Sequence, residues 1–332
     1  MSDLERLRAL LVEMGSLEHE RKHAARAELV RLGRENRQGL QRLTDDSDPA
    51  IQRCAERILK ILHENDILQE WRELLKDGPD VLIEEGAILI ARAEYPYLSR
   101  EELVEQLDGI ADTLASRLPL EPHPLQTLEE INLLLFDEMG FHGNQEDYYE
   151  PENSFLNDVL DRRTGIPISL SVLYMAISRR VGLTLSGVGM PMHFLVKFDA
   201  ENDERFIDVF HNGRFLTRED CQELLSDMGV EYQPDFLFTI DAPEIYARML
   251  RNLIGAYQQT RLPEKSLTCL NQILEIVPDS PAELFMRATI AGSLGETVTA
   301  LADVEKLSDM PNSGIPSEQL SQLASRLIAQ NN

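Results

Sequence analysis

Residues 166–177, IPISLSVLYMAI, constrain this chain more than any other stretch. The run is entered through Gly165, Ile166 and Pro167. It is then apolar nearly all round a helix, at Ile168, Leu170, Val172, Leu173, Met175 and Ile177. A helix without a polar face must be covered on every side, so the rest of the fold has to wrap it. Pro167 suits a first helical turn, where φ is preset and no N–H is needed. Arg179, Arg180 and Gly182 supply a cationic last turn and a C-terminal cap. Ser169 and Ser171 sit among the apolar residues, which leaves two readings of the helix start: a catalytic site or a well-capped piece of core.

The segments before it read as helices. MSDLERLRALLVEMG is amphipathic at helical spacing, and two further runs flank Asp45-Asp46-Ser47-Asp48-Pro49, an acidic, proline-marked helix start. The phrase DSDPAIQRCAERIL resembles the second helix of a HEAT-type repeat. VLIEEGAILIARAEYP predicts a buried helix stopped before Pro96, and Ser99-x-x-Glu102 is a capping box opening the next one. EPHPLQ is a proline-marked connection.

Near residue 187 the period changes. GVGMPMHFLVKF and RFIDVF are short β-prone runs around the polar segment 199–204, the clearest β-hairpin in the chain. His193 and Asp208 lie symmetrically about position 200.5. Pairing in that register places imidazole and carboxylate opposite each other on one face, with Cβ atoms about 5 Å apart. This is the base-and-orienter half of a catalytic triad, or a structural His–Asp bond closing a sheet. FLTREDCQELLSDMG then returns to helix, and EYQPDFLF reads as a linker or short strand.

The last stretch repeats itself. At an offset of 34, Leu250 matches Leu284, Ile254 matches Ala288, Ser266 matches Ala300, Leu267 matches Leu301 and Leu270 matches Val304. Helix pairs of this period, ending in proline, carry the tetratricopeptide signature. Two units plus SEQLSQLASRLIAQ make a short module suited to a protein or peptide partner.

Composition excludes several classes. The formal charge of −26 argues against nucleic acid, whose phosphates are held by lysine and arginine. Three widely spaced cysteines, Cys54, Cys221 and Cys269, support neither a disulfide framework nor a cysteine-rich zinc site. HERKH (19–23) matches the H-E-x-x-H metal pattern, but the charges crowding it favour a solvated helix face, so no metal or other cofactor is expected. No run reaches the ~18 apolar residues of a membrane span, and the charged N-terminus has no signal-peptide core. A cytoplasmic protein is expected.

The longer phrases EGAILIARAEYP, DYYEPENSFLNDVLDRRTGIPISLSVLYMAISRRVGL, GVGMPMHFLVKF and FIDVF, in this order, resemble the SirB-type transglutaminase-like proteins, which carry a tetratricopeptide tail. The resemblance covers roughly residues 78–330. It implies an α+β fold with a transglutaminase-like (papain-related) core. By that resemblance His193 and Asp208 stand at the family's histidine and aspartate positions, and Pro167 falls where active enzymes carry the nucleophilic cysteine. Met192 stands where a glycine before the histidine is frequent. Ser169, two residues into the helix, is the substitute nucleophile in a Ser169–His193–Asp208 arrangement, or a serine bonding a free backbone N–H.

The expected organisation is a helical, HEAT-like region at 1–66, a transglutaminase-like domain at 67–236 and a tetratricopeptide module at 237–332. The expected function is a non-catalytic interaction or regulatory module. The alternative is an amide or ester hydrolase or acyltransferase using Ser169 or a cysteine with His193 and Asp208.

Overall fold

The computed structural model describes residues 3–16, 28–200 and 203–330. Two compact units divide the chain, Met1–Glu70 and Trp71–Asn332.

In the first unit, α1 (Asp3–Ser16), a helical stretch at 28–35, α2 (Arg37–Leu43) and the start of α3 (Pro49–Leu74) enclose a core of Leu7, Leu11, Leu29, Leu40, Ile51, Ile58 and Leu62. The acidic turn starts α3 as its residue types require: Asp48 Oδ1 accepts the Ala50 N–H at 2.8 Å. The boundary expected at 66 lies inside α3, which runs on because no proline or glycine interrupts it before Leu74. HERKH lies outside the described residues.

The second unit is built around the apolar helix. Five helices precede or include it: α4 (Ile83–Glu94), α5 (Arg100–Ala115), α6 (Pro124–Asn132), α7 (Leu156–Arg162) and α8 (Pro167–Arg180). Every residue of α8 from Pro167 to Ser178 is buried, and α4, α5, α6 and α7 all pack on it. Its end is fixed electrostatically as well, since Arg180 pairs with buried Glu84 at 2.6 Å and with Asp108 at 2.7 Å. Ser99 accepts the Glu102 N–H at 3.2 Å at the start of α5, and Gly182 (φ 83) follows α8 in the left-handed region.

Strands β1 (His142–Gly143) and β2 (Thr164–Gly165) form a short parallel pair just before α8. The main sheet contains β3 (Ser186–Val188), β4 (Leu195–Ala200), β5 (Asp203–Asp208), β6 (Arg214–Leu216) and β7 (Thr239–Ile240). It is antiparallel, in the order β6-β5-β4-β3-β7.

The register of the hairpin corrects the expectation from symmetry. Val196 pairs with Ile207 and Ala200 with Asp203, so Asp208 falls two positions away from the partner expected for it. His193 precedes β4 in a turn. A slip of two residues keeps the same face, so both side chains still reach one side of the sheet. Arg214–Leu216 is a strand rather than part of the following helix. Asn212 (φ 59) and Gly213 (φ 70) reverse the chain and return it onto β5. The helix α9 (Arg218–Asp227) then opens on a Thr217–Asp220 capping box, and residues 234–237 form a 3₁₀ turn in place of a strand.

Five helices close the chain: α10 (Ala242–Gln259), α11 (Pro263–Ile276), α12 (Pro281–Ser293), α13 (Thr297–Asp309) and α14 (Ser317–Gln330). Each packs against the next. Four of the five position pairs matched at offset 34 are buried at both members, and Leu301 packs against the same core.

Candidate functional site

The site begins with a turn. The His193 N–H bonds the Met190 carbonyl at 3.2 Å across Pro191 and Met192. Met192 has φ 60. Proline followed by a positive φ is the arrangement of a type II turn, whose third position favours glycine. Arg248, from α10, clasps the turn from behind: its Nη2 donates to the Met190 carbonyl at 2.5 Å and to the His193 carbonyl at 2.6 Å. Its guanidinium also lies 5.8 Å from the centre of the Phe194 ring.

The turn delivers His193, which is buried, to Asp208, the buried last residue of β5. His193 Nε2 lies 3.0 Å from Asp208 Oδ1. The ring N–H falls short of full alignment with that oxygen, so the contact is a close imidazole–carboxylate approach. The other carboxylate oxygen faces a second imidazole, with His211 Nδ1 2.8 Å from Oδ2. Asp208 Oδ1 also accepts the His211 N–H at 3.3 Å. Burial raises the Asp208 pKa, but the hydrogen bonds and charges of His193 and His211 outweigh it and hold the carboxyl below its ordinary value. Phe210 packs edge-on nearby, 6.3 Å from the His193 ring and 6.4 Å from the Tyr148 ring.

The start of α8 approaches the same place. Gly165 is required there because a Cβ would lie 2.7 Å from Ser169 Oγ and 3.1 Å from the Leu170 side chain. Ser169 Oγ donates to the Asn153 carbonyl at 2.6 Å and accepts the Ile166 N–H at 3.1 Å. The hydroxyl thus ties the helix start to the 151–153 turn, and no hydrogen bond to His193 occurs among the described residues. Asn153, buried, donates through Nδ2 to the Asp147 carbonyl at 2.7 Å and so braces the loop that carries Tyr148.

Between these elements lies a cavity of about 330 Å³, to which Tyr148, Pro167, Met192, His193, Glu244 and Arg248 contribute, with Arg251 beside them. The structure thus brings Pro167 and His193 to one cavity, with Asp208 behind His193. The wall contains no serine, threonine or cysteine. Cys221 is buried among Val188, Leu195 and Phe206, and burial first, then Asp220, pushes its thiol up to about 12. Cys269 is buried in α11, its pKa likewise raised by burial. Cys54 belongs to the first unit.

Donor atoms of His193, Asp208 and His211 lie within 4.8 Å of one another, and these are the residues that could hold a metal ion. The same atoms are also engaged as a His–Asp–His chain, with the exposed His211 at its outer end.

Arg248, His211 and Phe210 take part in this site without having been singled out from the sequence. His211 carried a local signal, three residues beyond Asp208 at the end of a strand. Arg248 carried none: it lies 55 residues from His193 on a helix with a clear polar face.

Comparison with known proteins agrees with this geometry. The model of the Transglutaminase-like superfamily matches residues 101–251, which contain the site helix, the hairpin and Arg248. A UPF0162 protein of Xylella fastidiosa is 33% identical over 248 residues, covering 72% of this chain and 88% of its own. A UPF0162 protein of Vibrio cholerae is 28% identical over 224 residues, 67% of this chain and 83% of the other. F-box only protein 21 of Homo sapiens is 30% identical over 278 residues, 73% of this chain and 43% of the human one. No solved structure matches. This chain belongs with the UPF0162 proteins, and its residues 101–251 form a transglutaminase-like domain. No described helix is long and apolar enough to cross a membrane.

Proposed function

We propose that this protein is a transglutaminase-like module without acyl-transfer chemistry, in which the His193–Asp208 pair and its cavity serve binding. One observation carries the reading. Pro167 borders the cavity beside His193 and offers neither a nucleophilic side chain nor a backbone N–H, and no other hydroxyl or thiol nucleophile of the serine, threonine or cysteine type lines the wall. Covalent catalysis needs a nucleophile within hydrogen-bond reach of its base. A hydrolase or acyltransferase using Ser169 would require its hydroxyl to leave the Asn153 carbonyl and Ile166 N–H that now engage it.

The five C-terminal helices and their 34-residue offset support a tetratricopeptide-type surface for a protein or peptide partner. The protein is then a SirB-type interaction or regulatory module, acting in the cytoplasm without nucleic acid. The test is hydrolysis and amine transfer on a panel of amide and ester substrates, with His193→Ala alongside. No turnover above buffer is expected. Turnover that falls in the variant would overturn the reading.

A further inference from the structure

We infer that the cavity beside His193 is a receptor for a single carboxylate group, with Arg248, the start of α8 and the Tyr148 hydroxyl as its donors. This rests on the reading of the cavity as a binding site and names what it binds.

The argument is an account of the polar groups in the wall. Arg251 is already matched, 2.8 Å from Glu244 and 2.7 Å from Glu283. Arg248 is not: two backbone carbonyls engage its Nη2, and it has no carboxylate partner among the described residues. Glu244 acts on it at longer range, without a direct ion pair.

Two further groups in the wall are donors too. Pro167 and Ile168 bring the N-terminus of α8, a helix of 14 residues, to the cavity. Its free N–H groups and dipole favour an anion. His193 is 6% exposed; with its Nε2–H turned to Asp208, Nδ1 is an acceptor, so the imidazole shapes the wall and supplies no donor to a carboxylate. The Tyr148 hydroxyl has no hydrogen-bond partner among the described residues. Glu244 is the one carboxylate among the lining residues, and it shares Arg251 with Glu283.

Arg251 is shared by Glu244 and Glu283, so with Arg248 the two guanidiniums and two carboxylates balance. Neutral surroundings in a chain of net charge −26 suit a monoanion better than a phosphate dianion. The cavity, about 330 Å³, is at the small end of ligand sites and fits a terminal carboxylate with a short stem. A free small carboxylate and the C-terminus of a peptide share this chemistry.

Isothermal titration of the full chain tests the inference with three probes: acetate, an N-acetylated alanine tripeptide acid, and its C-terminal amide. The acid form binds and the amide does not. Tyr148→Phe weakens the acid by about tenfold or less, in proportion to one lost hydrogen bond. Arg248→Gln abolishes it, with far-UV circular dichroism checking that the turn's clasp has not been lost with the fold. Saturation by acetate points to a small free carboxylate, and binding of the peptide acid alone points to a peptide terminus. Equal binding of acid and amide, or binding of neither acid nor acetate, overturns the proposal. Mass spectrometry of the recovered peptide separates the two readings: cleavage would refute the non-catalytic reading while leaving carboxylate recognition standing.

Discussion

Met192 is the residue whose replacement most directly probes how the turn presents His193. It has φ 60 and its side chain is 75% exposed. A non-glycine residue in that region costs about 1–2 kcal/mol. Glycine relieves this, while its extra freedom in the unfolded chain takes back about 0.4–1 kcal/mol. Little packing is lost, because the side chain is largely in water. Met192→Gly is therefore expected to stabilise the second unit by about 0.5–1 kcal/mol. Urea unfolding followed by circular dichroism reads this as a higher midpoint with an unchanged slope. Met192→Ala is the control: it removes the side chain, keeps the strained φ, and leaves the midpoint near that of the parent. A glycine variant no more stable than the alanine variant would refute the argument that the turn is strained.

Three further outcomes follow from particular contacts. Asp208→Asn is expected to lower stability at neutral pH by about 2 kcal/mol, the scale of hydrogen bonds to a buried charge. Because the folded carboxyl sits below its ordinary value, its contribution is present above the unfolded pKa of about 3.9 and is lost as pH falls through the folded one. The gap between parent and variant in urea midpoints should thus narrow below about pH 4; a constant gap contradicts the sign. Gly86→Ala, in α4, would drive a Cβ into the buried Tyr246 ring. Overpacking of about 1–3 kcal/mol should outweigh the gain of about 1 kcal/mol in helix propensity, giving a lower thermal midpoint. Arg180→Ala leaves buried Glu84 without its cation and is expected to cost about 3 kcal/mol in the same unfolding assay.

The helix at 167–180 was legible in the sequence because a run apolar on every side admits one solution, full enclosure. Residue types at helix ends were equally plain: Asp48, Ser99 and Gly182 act locally, within a turn of the backbone they satisfy. The hairpin was legible in kind and its face correct, but its register was not. Symmetry about the turn ignored the separate turn at Met190–His193, which takes His193 out of the strand. The second imidazole and the Arg248 clasp depend on contacts made by the folded chain. The sequence separation of Arg248 from His193, 55 residues, leaves no periodic trace to read.

The most direct measurement is the pH dependence of iodoacetamide labelling in Pro167→Cys, with and without His193→Ala. If Pro167 occupies the nucleophile's place beside a working imidazole, the introduced thiol reacts rapidly at about pH 6, well below the ordinary thiol value of about 8.5, and the advantage vanishes with His193. An introduced thiol that titrates as an ordinary one, whether or not His193 is present, would contradict the account.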